Sequence, residues 1–127
     1  MIKILLVDDH GIVREGLRRI INDTKDINIV EEASTGEEAL LLIYKNKFDL
    51  ILLDISMPGK NGLQTLKDIK KFNNKLPVLM LSMHAEEQYA MRAIKAGASG
   101  YLTKDSASDQ LVKAIKKVFD GRKYFSQ

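Results

Sequence analysis

The stretch Leu50-Ile51-Leu52-Leu53-Asp54-Ile55-Ser56-Met57-Pro58-Gly59 decides the fold. Four consecutive aliphatics bounded by turn residues predict a strand buried on both faces, as in a parallel sheet with covered sides. A carboxylate stands where the apolar run stops, and Pro58-Gly59 turns the chain away. In open α/β sheets, ligands and chemistry gather beyond the carboxyl ends of the strands. Asp54 is therefore expected at a reactive rim on a rigid support. The plainer alternative is a loop aspartate that merely ends a strand.

The same pattern recurs on either side. Ile2 to Val7 is an apolar run ending at Asp8-Asp9, followed by Val13, Leu17, Ile20 and Ile21 at helical spacing. Ile27 to Val30 reads as a second strand. Ser34 with Glu37, or Thr35 with Glu38, offers a capping box for a helix through Leu40 and Ile43. After the central strand, Asn61-Gly62 leads into a helix with Leu63, Leu66 and Ile69 inward. Pro77 to Leu81 predicts a fourth strand ending at Ser82. Glu86 to Ala96 predicts a helix stopped by Gly97. Gly100 to Thr103 predicts a fifth strand ending at Lys104. Ser106 with Asp109 starts a last helix, carrying Leu111, Ala114, Ile115 and Val118 and stopped by Gly121.

Five strand–helix units in alternation predict an α/β, doubly wound, five-stranded parallel sheet of flavodoxin-like order 2-1-3-4-5, with five helices on two faces. A barrel would need about 200 residues or more, and the chain has 127. Residues 1–121 are expected to form one domain. Residues 122–127 place Tyr124 and Phe125 beyond the last helix with nothing obvious to bury them, and read as the start of a linker. With no cysteine, disulfides and thiolate metal sites are excluded. No signal-peptide pattern opens the chain and no apolar run reaches membrane-spanning length, so a cytoplasmic protein with no membrane partner is expected. The net charge is +3. The lysines at 67, 70, 71 and 75 and at 113, 116 and 117 lie opposite apolar stripes without interleaved aromatics, which favours a solvated surface over a nucleic-acid face.

The residues just beyond the buried strands carry the chemistry: Asp8-Asp9, Asp54, Ser82 and Lys104. In the order 2-1-3-4-5 the first and third strands are neighbours, so three carboxylates converge. Two carboxylates about 4 Å apart repel by about 4 kcal/mol at an effective dielectric near 20. A hard divalent cation offsets that repulsion, and carboxylates with waters and a phosphate suit Mg²⁺. No histidine or cysteine set offers a zinc site. Lys104 brings a compact positive charge and Ser82 a hydroxyl. Aspartate can act as a nucleophile toward phosphorus, giving an acyl phosphate, and phosphoryl transfer chiefly needs positioning and charge neutralisation. Asp54, alone at the central tip, is the candidate nucleophile, whereas Asp8 and Asp9 are placed to share a metal.

On these residues the whole chain resembles the receiver domain of two-component response regulators. Asp8-Asp9-His10, Ser82-Met83-His84, Gly100-Tyr101-Leu102-Thr103-Lys104-Asp105 and the Gly121 to Phe125 tail are similar to the NarL/LuxR-type subgroup. The resemblance implies a signalling switch rather than a turnover enzyme, with Asp54 phosphorylated by a sensor histidine kinase. It implies Mg²⁺ held by Asp9, Asp54 and the Ser56 backbone carbonyl, with Asp8 acting through water. Ser82 and Lys104 would contact the phosphoryl group, and Tyr101 would be the switch aromatic. It further implies a phosphorylation-dependent homodimer, and transcription control through a C-terminal helix-turn-helix DNA-binding domain absent from this stretch. Departures from the commonest receiver pattern are Ser82 for Thr, a bulky Met83, and Asp105 after Lys104 where a proline with a cis bond is usual. Either a trans bond or a strained loop is expected there. His10 reads as a helix-start residue and His84 as a tuner of phosphoryl lifetime.

Other classes fit less well. A haloacid-dehalogenase-type phosphatase wants a second acid two residues after the nucleophile, where Ser56 stands. A flavodoxin-like mononucleotide binder needs a phosphate loop after the first strand, where Asp8-Asp9 would repel one. A phosphate-independent interaction domain would have no use for the complete acidic set with Ser82 and Lys104.

Overall fold

The computed structural model of the chain describes residues 1–54, 62–82, 87–103 and 107–125. The central stretch forms strand β3 (Leu50–Asp54), and every one of its residues is buried. Around it run β1 (Ile2–Val7), α1 (Gly11–Asn22), β2 (Ile27–Ala33), α2 (Gly36–Lys45), α3 (Gly62–Phe72), β4 (Val78–Ser82), α4 (Glu87–Lys95), β5 (Gly100–Thr103), α5 (Ala107–Phe119) and β6 (Tyr124–Phe125). All strand pairs are parallel, in the order β2-β1-β3-β4-β5-β6. The predicted five-strand order is therefore present, with a sixth short strand added at its end.

Strand alternation divides the core in two. Leu5, Val7, Ile51, Leu53, Val78 and Met80 face α2, α3 and α4 in one cluster, which also holds Leu40, Leu66 and Ile69. Leu50, Leu52, Leu79, Leu81 and Leu102 share the other with Leu17 and Ile21 of α1 and Leu111 and Ile115 of α5. Because both faces are covered, β3 and β4 can be unbroken aliphatic runs. At roughly 1.5–3 kcal/mol per buried aliphatic side chain, the two clusters hold the strand ends firmly.

The helix boundaries follow local chemistry. Of the two capping boxes, the Thr35 pair forms: Thr35 Oγ1 accepts a hydrogen bond from the Glu38 amide at 3.1 Å. The amide of Ser34 reaches the Glu38 carboxylate only at 3.5 Å. Gly97 and Gly121 adopt φ of +102° and +91°, the left-handed conformation expected where α4 and α5 stop. The Ser106–Asp109 cap lies outside the described residues.

The end of the chain departs from expectation. Tyr124 and Phe125 are half-buried, one against each core cluster. They pair in register with Gly100 and Tyr101 of β5. A Cβ on Gly100 would stand 2.6 Å from the Tyr124 carbonyl oxygen and 2.7 Å from Leu79 Cδ1. The sixth strand thus approaches closely because Gly100 has no side chain. Tyr124 is fastened further by a 2.7 Å hydrogen bond from its hydroxyl to Gln110 Oε1.

Candidate metal and phosphoryl site

The ends of β1 and β3 lie side by side, with Val7 in register with Leu53. The next residues along each strand, Asp8 and Asp54, are both fully buried. The Asp8 amide donates to the Ala33 carbonyl at 3.0 Å, which ties this corner to the end of β2. Asp9 is partly buried beside them. Sequence reasoning placed three carboxylates at this rim, and the structure brings them together.

His10 joins them. It occupies the N-cap of α1, as expected, but its side chain makes no cap hydrogen bond. Its amide donates to Asp8 Oδ1 at 2.8 Å, and its ring Nδ1 lies 3.2 Å from the same oxygen. Nδ1 is also 3.0 Å from Asp9 Oδ1 and 3.9 Å from Asp54 Oδ2. One ring nitrogen carries at most one proton, so it cannot satisfy all of these oxygens at once. Asp9 Oδ1 is buried and accepts no hydrogen bond among the described residues.

One potential ligand atom from each of Asp8, Asp9, His10 and Asp54 lies within 4.8 Å of every other. Neighbouring ligands around an octahedral cation with bonds of about 2.1 Å stand about 3 Å apart. Oxygen-rich donors, closely grouped and short of hydrogen-bond partners at Asp9, therefore fit a small divalent cation. Arg14, one turn into α1, donates to Ser34 Oγ at 3.2 Å, and its Nε lies 3.8 Å from Glu32 Oε1. Its charge is thereby engaged at β2.

Ser82, at the end of β4, is 1% exposed. Its register partner is Thr103 of β5, and two residues before Thr103 lies Tyr101, opposite Met80. Strand alternation puts Ser82, Met80 and Tyr101 on one face. Tyr101 is buried within the cluster under α3 and α4. Ser56 and Lys104 lie outside the described residues, as do Met83, His84 and the Lys104–Asp105 bond. Sequence reasoning set His10 at the flank of the pocket as a helix-start residue but did not count it among the donor atoms of the acid group. The available signal was its position directly after two clustered aspartates, on a strand-to-helix turn too short to carry it away.

The family model described as "Response regulator receiver domain" matches residues 4–116. The chain is 42% identical over 126 residues to the response regulator UvrY of Escherichia coli (strain K12), covering 99% of this chain and 58% of that protein. Among solved structures, a LuxR-family two-component response regulator from Aurantimonas sp. SI85-9A1 superposes with a TM-score of 0.92 at 38% identity, covering 96% of this chain and 87% of that one. The signal receiver domain of the putative response regulator NarL from Mycobacterium tuberculosis gives a TM-score of 0.87 at 36% identity, covering 95% and 98%. The chain thus spans little more than half the length of the curated relative it matches. No helix among the described residues is long and apolar enough to cross a membrane. With the model matching most of its length, the chain belongs to the receiver domains of two-component response regulators, of the NarL/LuxR type.

Proposed function

We propose that this domain takes a phosphoryl group on Asp54 from the phosphohistidine of a sensor histidine kinase, and that the modified domain switches a transcriptional output. The observation that carries the reading is a fully buried carboxylate at the tip of the central strand, beside Asp8 and Asp9 on the neighbouring one. In the transfer, an Asp54 carboxylate oxygen forms the new O–P bond while the N–P bond of the phosphohistidine breaks. The departing imidazole keeps the bonding electrons and is protonated.

Asp8, Asp9, Asp54 and the backbone carbonyl of Ser56 would hold Mg²⁺. When bound, Mg²⁺ neutralises the carboxylates and the phosphoryl oxygens. Burial fixes the Asp54 carboxylate against β1 and limits water around it, which slows loss of the acyl phosphate. Ser82 donates its hydroxyl to a phosphoryl oxygen, and Lys104 pairs with another. Hydrogen bonds to charged groups are worth roughly 1.5–3 kcal/mol each, so two give about 3–6 kcal/mol. Moving a two-state equilibrium from 1:99 to 99:1 takes about 5.5 kcal/mol. The contacts are therefore of the size a switch needs. As Ser82 shifts, Tyr101 on the same face fills the vacated space and alters the surface of α4, β5 and α5.

In this reading the domain is a cytoplasmic switch that assists its own phosphorylation and dephosphorylation without being a turnover enzyme. Residues 122–127 lead toward a DNA-binding output domain, and the modified domain forms a homodimer. Incubation with acetyl phosphate and Mg²⁺, followed by intact mass, tests the core of it. Wild type should gain one phosphoryl group and Asp54→Asn none; labelling of both would place the acceptor elsewhere. Tyr101→Ala should label normally yet lose phosphorylation-dependent dimerisation. Unchanged dimerisation would remove Tyr101 from the switch.

A further inference from the structure

We infer that His10 is a nitrogen ligand of the cation held by the acid group, and that it biases this pocket toward borderline later first-row ions such as Co²⁺ relative to Mg²⁺. The inference rests on the acid-pocket reading above and deepens it. The receiver's expected donors are all oxygen, whereas this chain adds an imidazole.

Three observations carry it. First, Nδ1 of His10 lies 3.2, 3.0 and 3.9 Å from carboxylate oxygens of Asp8, Asp9 and Asp54. Neighbouring ligands of a six-coordinate ion with bonds of about 2.1 Å are about 3 Å apart, so Nδ1 stands at the spacing of a further donor from Asp8 and Asp9, with Asp54 farther off at 3.9 Å. Second, the residue is held there. Its amide donates to Asp8 Oδ1 at 2.8 Å and its carbonyl accepts the first bond of α1, from the Arg14 amide at 3.0 Å. Third, the ring has no competing role at the helix start, since it makes no cap hydrogen bond. A neutral imidazole with its proton on Nε2 offers Nδ1 as a donor.

The chemistry then sets the preference. Mg²⁺ binds oxygen and gives up its waters reluctantly. Imidazole suits the later first-row ions, and affinity for nitrogen-containing sites is higher for Co²⁺ than for the harder Mn²⁺. Three carboxylates would hold either ion, so the imidazole determines the ratio rather than the binding itself.

Calorimetric titration of the chain with Mg²⁺ and Co²⁺ at one fixed pH tests this. The variants are His10→Ala, His10→Asn, His84→Ala and Asp54→Asn. Asparagine is a strong N-cap residue and offers only a hard oxygen, so His10→Asn keeps α1 intact while removing the nitrogen donor. The expected result is a Co²⁺-to-Mg²⁺ affinity ratio at least tenfold lower in both His10 variants than in wild type, and unchanged in His84→Ala. In wild type, Co²⁺ should also shift the imidazole resonances of His10 at stoichiometric ion. A ratio that does not move in the His10 variants overturns the inference, as does a ratio that falls only with His84→Ala. In those cases, Mg²⁺ binding that weakens in Asp54→Asn leaves the acid-pocket reading standing. A wild type that binds neither ion overturns both.

Discussion

The two ends of the same sheet answer like-charge crowding in opposite ways. At the carboxyl ends of β1 and β3, Asp8, Asp9 and Asp54 crowd together with His10. At the amino ends of β4 and β5, a cavity of about 450 Å³ is lined by Lys70, Lys75, Arg122 and Lys123. There the cations are accommodated locally. Lys70 Nζ donates to the Leu76 carbonyl at 2.6 Å and to that of Asn74 at 3.4 Å, and Lys123 Nζ donates to the Ala98 carbonyl at 3.4 Å. Long stems let ammonium groups reach backbone carbonyls at the rim of the sheet. Aspartates have one methylene and sit on strand ends fixed by two cores, so they cannot move apart. The basic end places its ammonium groups on carbonyls of the chain, and the acidic end groups donor atoms closely enough that they could hold a cation. Charge density alone separates nothing; the reach of each side chain does.

The largest expected effect breaks the rigidity on which the acidic end depends. Leu53, fully buried, immediately precedes Asp54. Leu53→Ala should cost about 2–5 kcal/mol in denaturant unfolding, through lost burial and the cavity left behind. Magnesium affinity should fall with it, because the strand that aims Asp54 loosens. An unaltered affinity in a correspondingly destabilised protein would show that the pocket does not need a stiff β3.

A slightly smaller effect tests whether the ends are independent. In Gly100→Ala the new methyl meets the Tyr124 carbonyl and Leu79 Cδ1 at 2.6 and 2.7 Å, so β6 or β4 must shift. Overpacking of this kind costs about 1–3 kcal/mol. Hydrogen exchange at Tyr124 should quicken while Mg²⁺ affinity stays within twofold of wild type. A large loss of metal binding would show that the far end communicates with the acids.

These two positions also mark what the sequence could and could not reveal. β3 and β4 were legible because a parallel strand covered on both sides must be continuously apolar, and Leu50 to Leu53 and Val78 to Leu81 are. Gly97 and Gly121 marked helix ends because their backbone conformation suits a residue without Cβ. The sixth strand was hidden: two residues carry no periodicity, and their pairing depends on the bare backbone at Gly100. Lys70 was read as part of a solvated surface, and its carbonyl contacts depend on how the chain after α3 returns to the sheet. The convergence of Asp8, Asp9 and Asp54 followed from strand order alone. The part taken by His10 was signalled only by its place directly after Asp9, and its approach to Asp54 depends on how closely the start of α1 abuts β3.

The third test reverses sign with the ion. Asp9→Asn keeps the shape of the side chain but removes one of three negative charges. Without divalent ions it should raise stability by about 1 kcal/mol, well under the ~4 kcal/mol of a close pair because Asp9 is partly exposed. In millimolar Mg²⁺ the order should invert, since an ion bound only to the folded state stabilises it by RT ln(1 + [L]/Kd), and the variant binds more weakly. Thermal unfolding with and without Mg²⁺ would show the two curves exchanging places. A variant less stable under both conditions would mean that the repulsion is already relieved inside the protein.

The smallest effect probes the basic end. Burial, and then the neighbouring Lys123 ammonium, hold the Lys70 pKa below its usual 10.5. The folded state therefore releases this proton at a lower pH than the unfolded chain. Below the lowered value both states carry the proton, and the charged form is penalised in the fold. Between that value and 10.5 the unfolded chain binds more protons, so stability rises with pH. Lys70→Met lacks this contribution. Near neutral pH the variant should differ by no more than about 1 kcal/mol, because the lost hydrogen bond to Leu76 is offset by removal of a poorly solvated charge. Toward pH 10.5 wild type should gain on the variant, and the difference between the two unfolding curves isolates Lys70 from the other lysines. Curves that stay parallel would mean that the ammonium is as well solvated in the fold as outside it. The contrast between the two ends would then reduce to stem length alone.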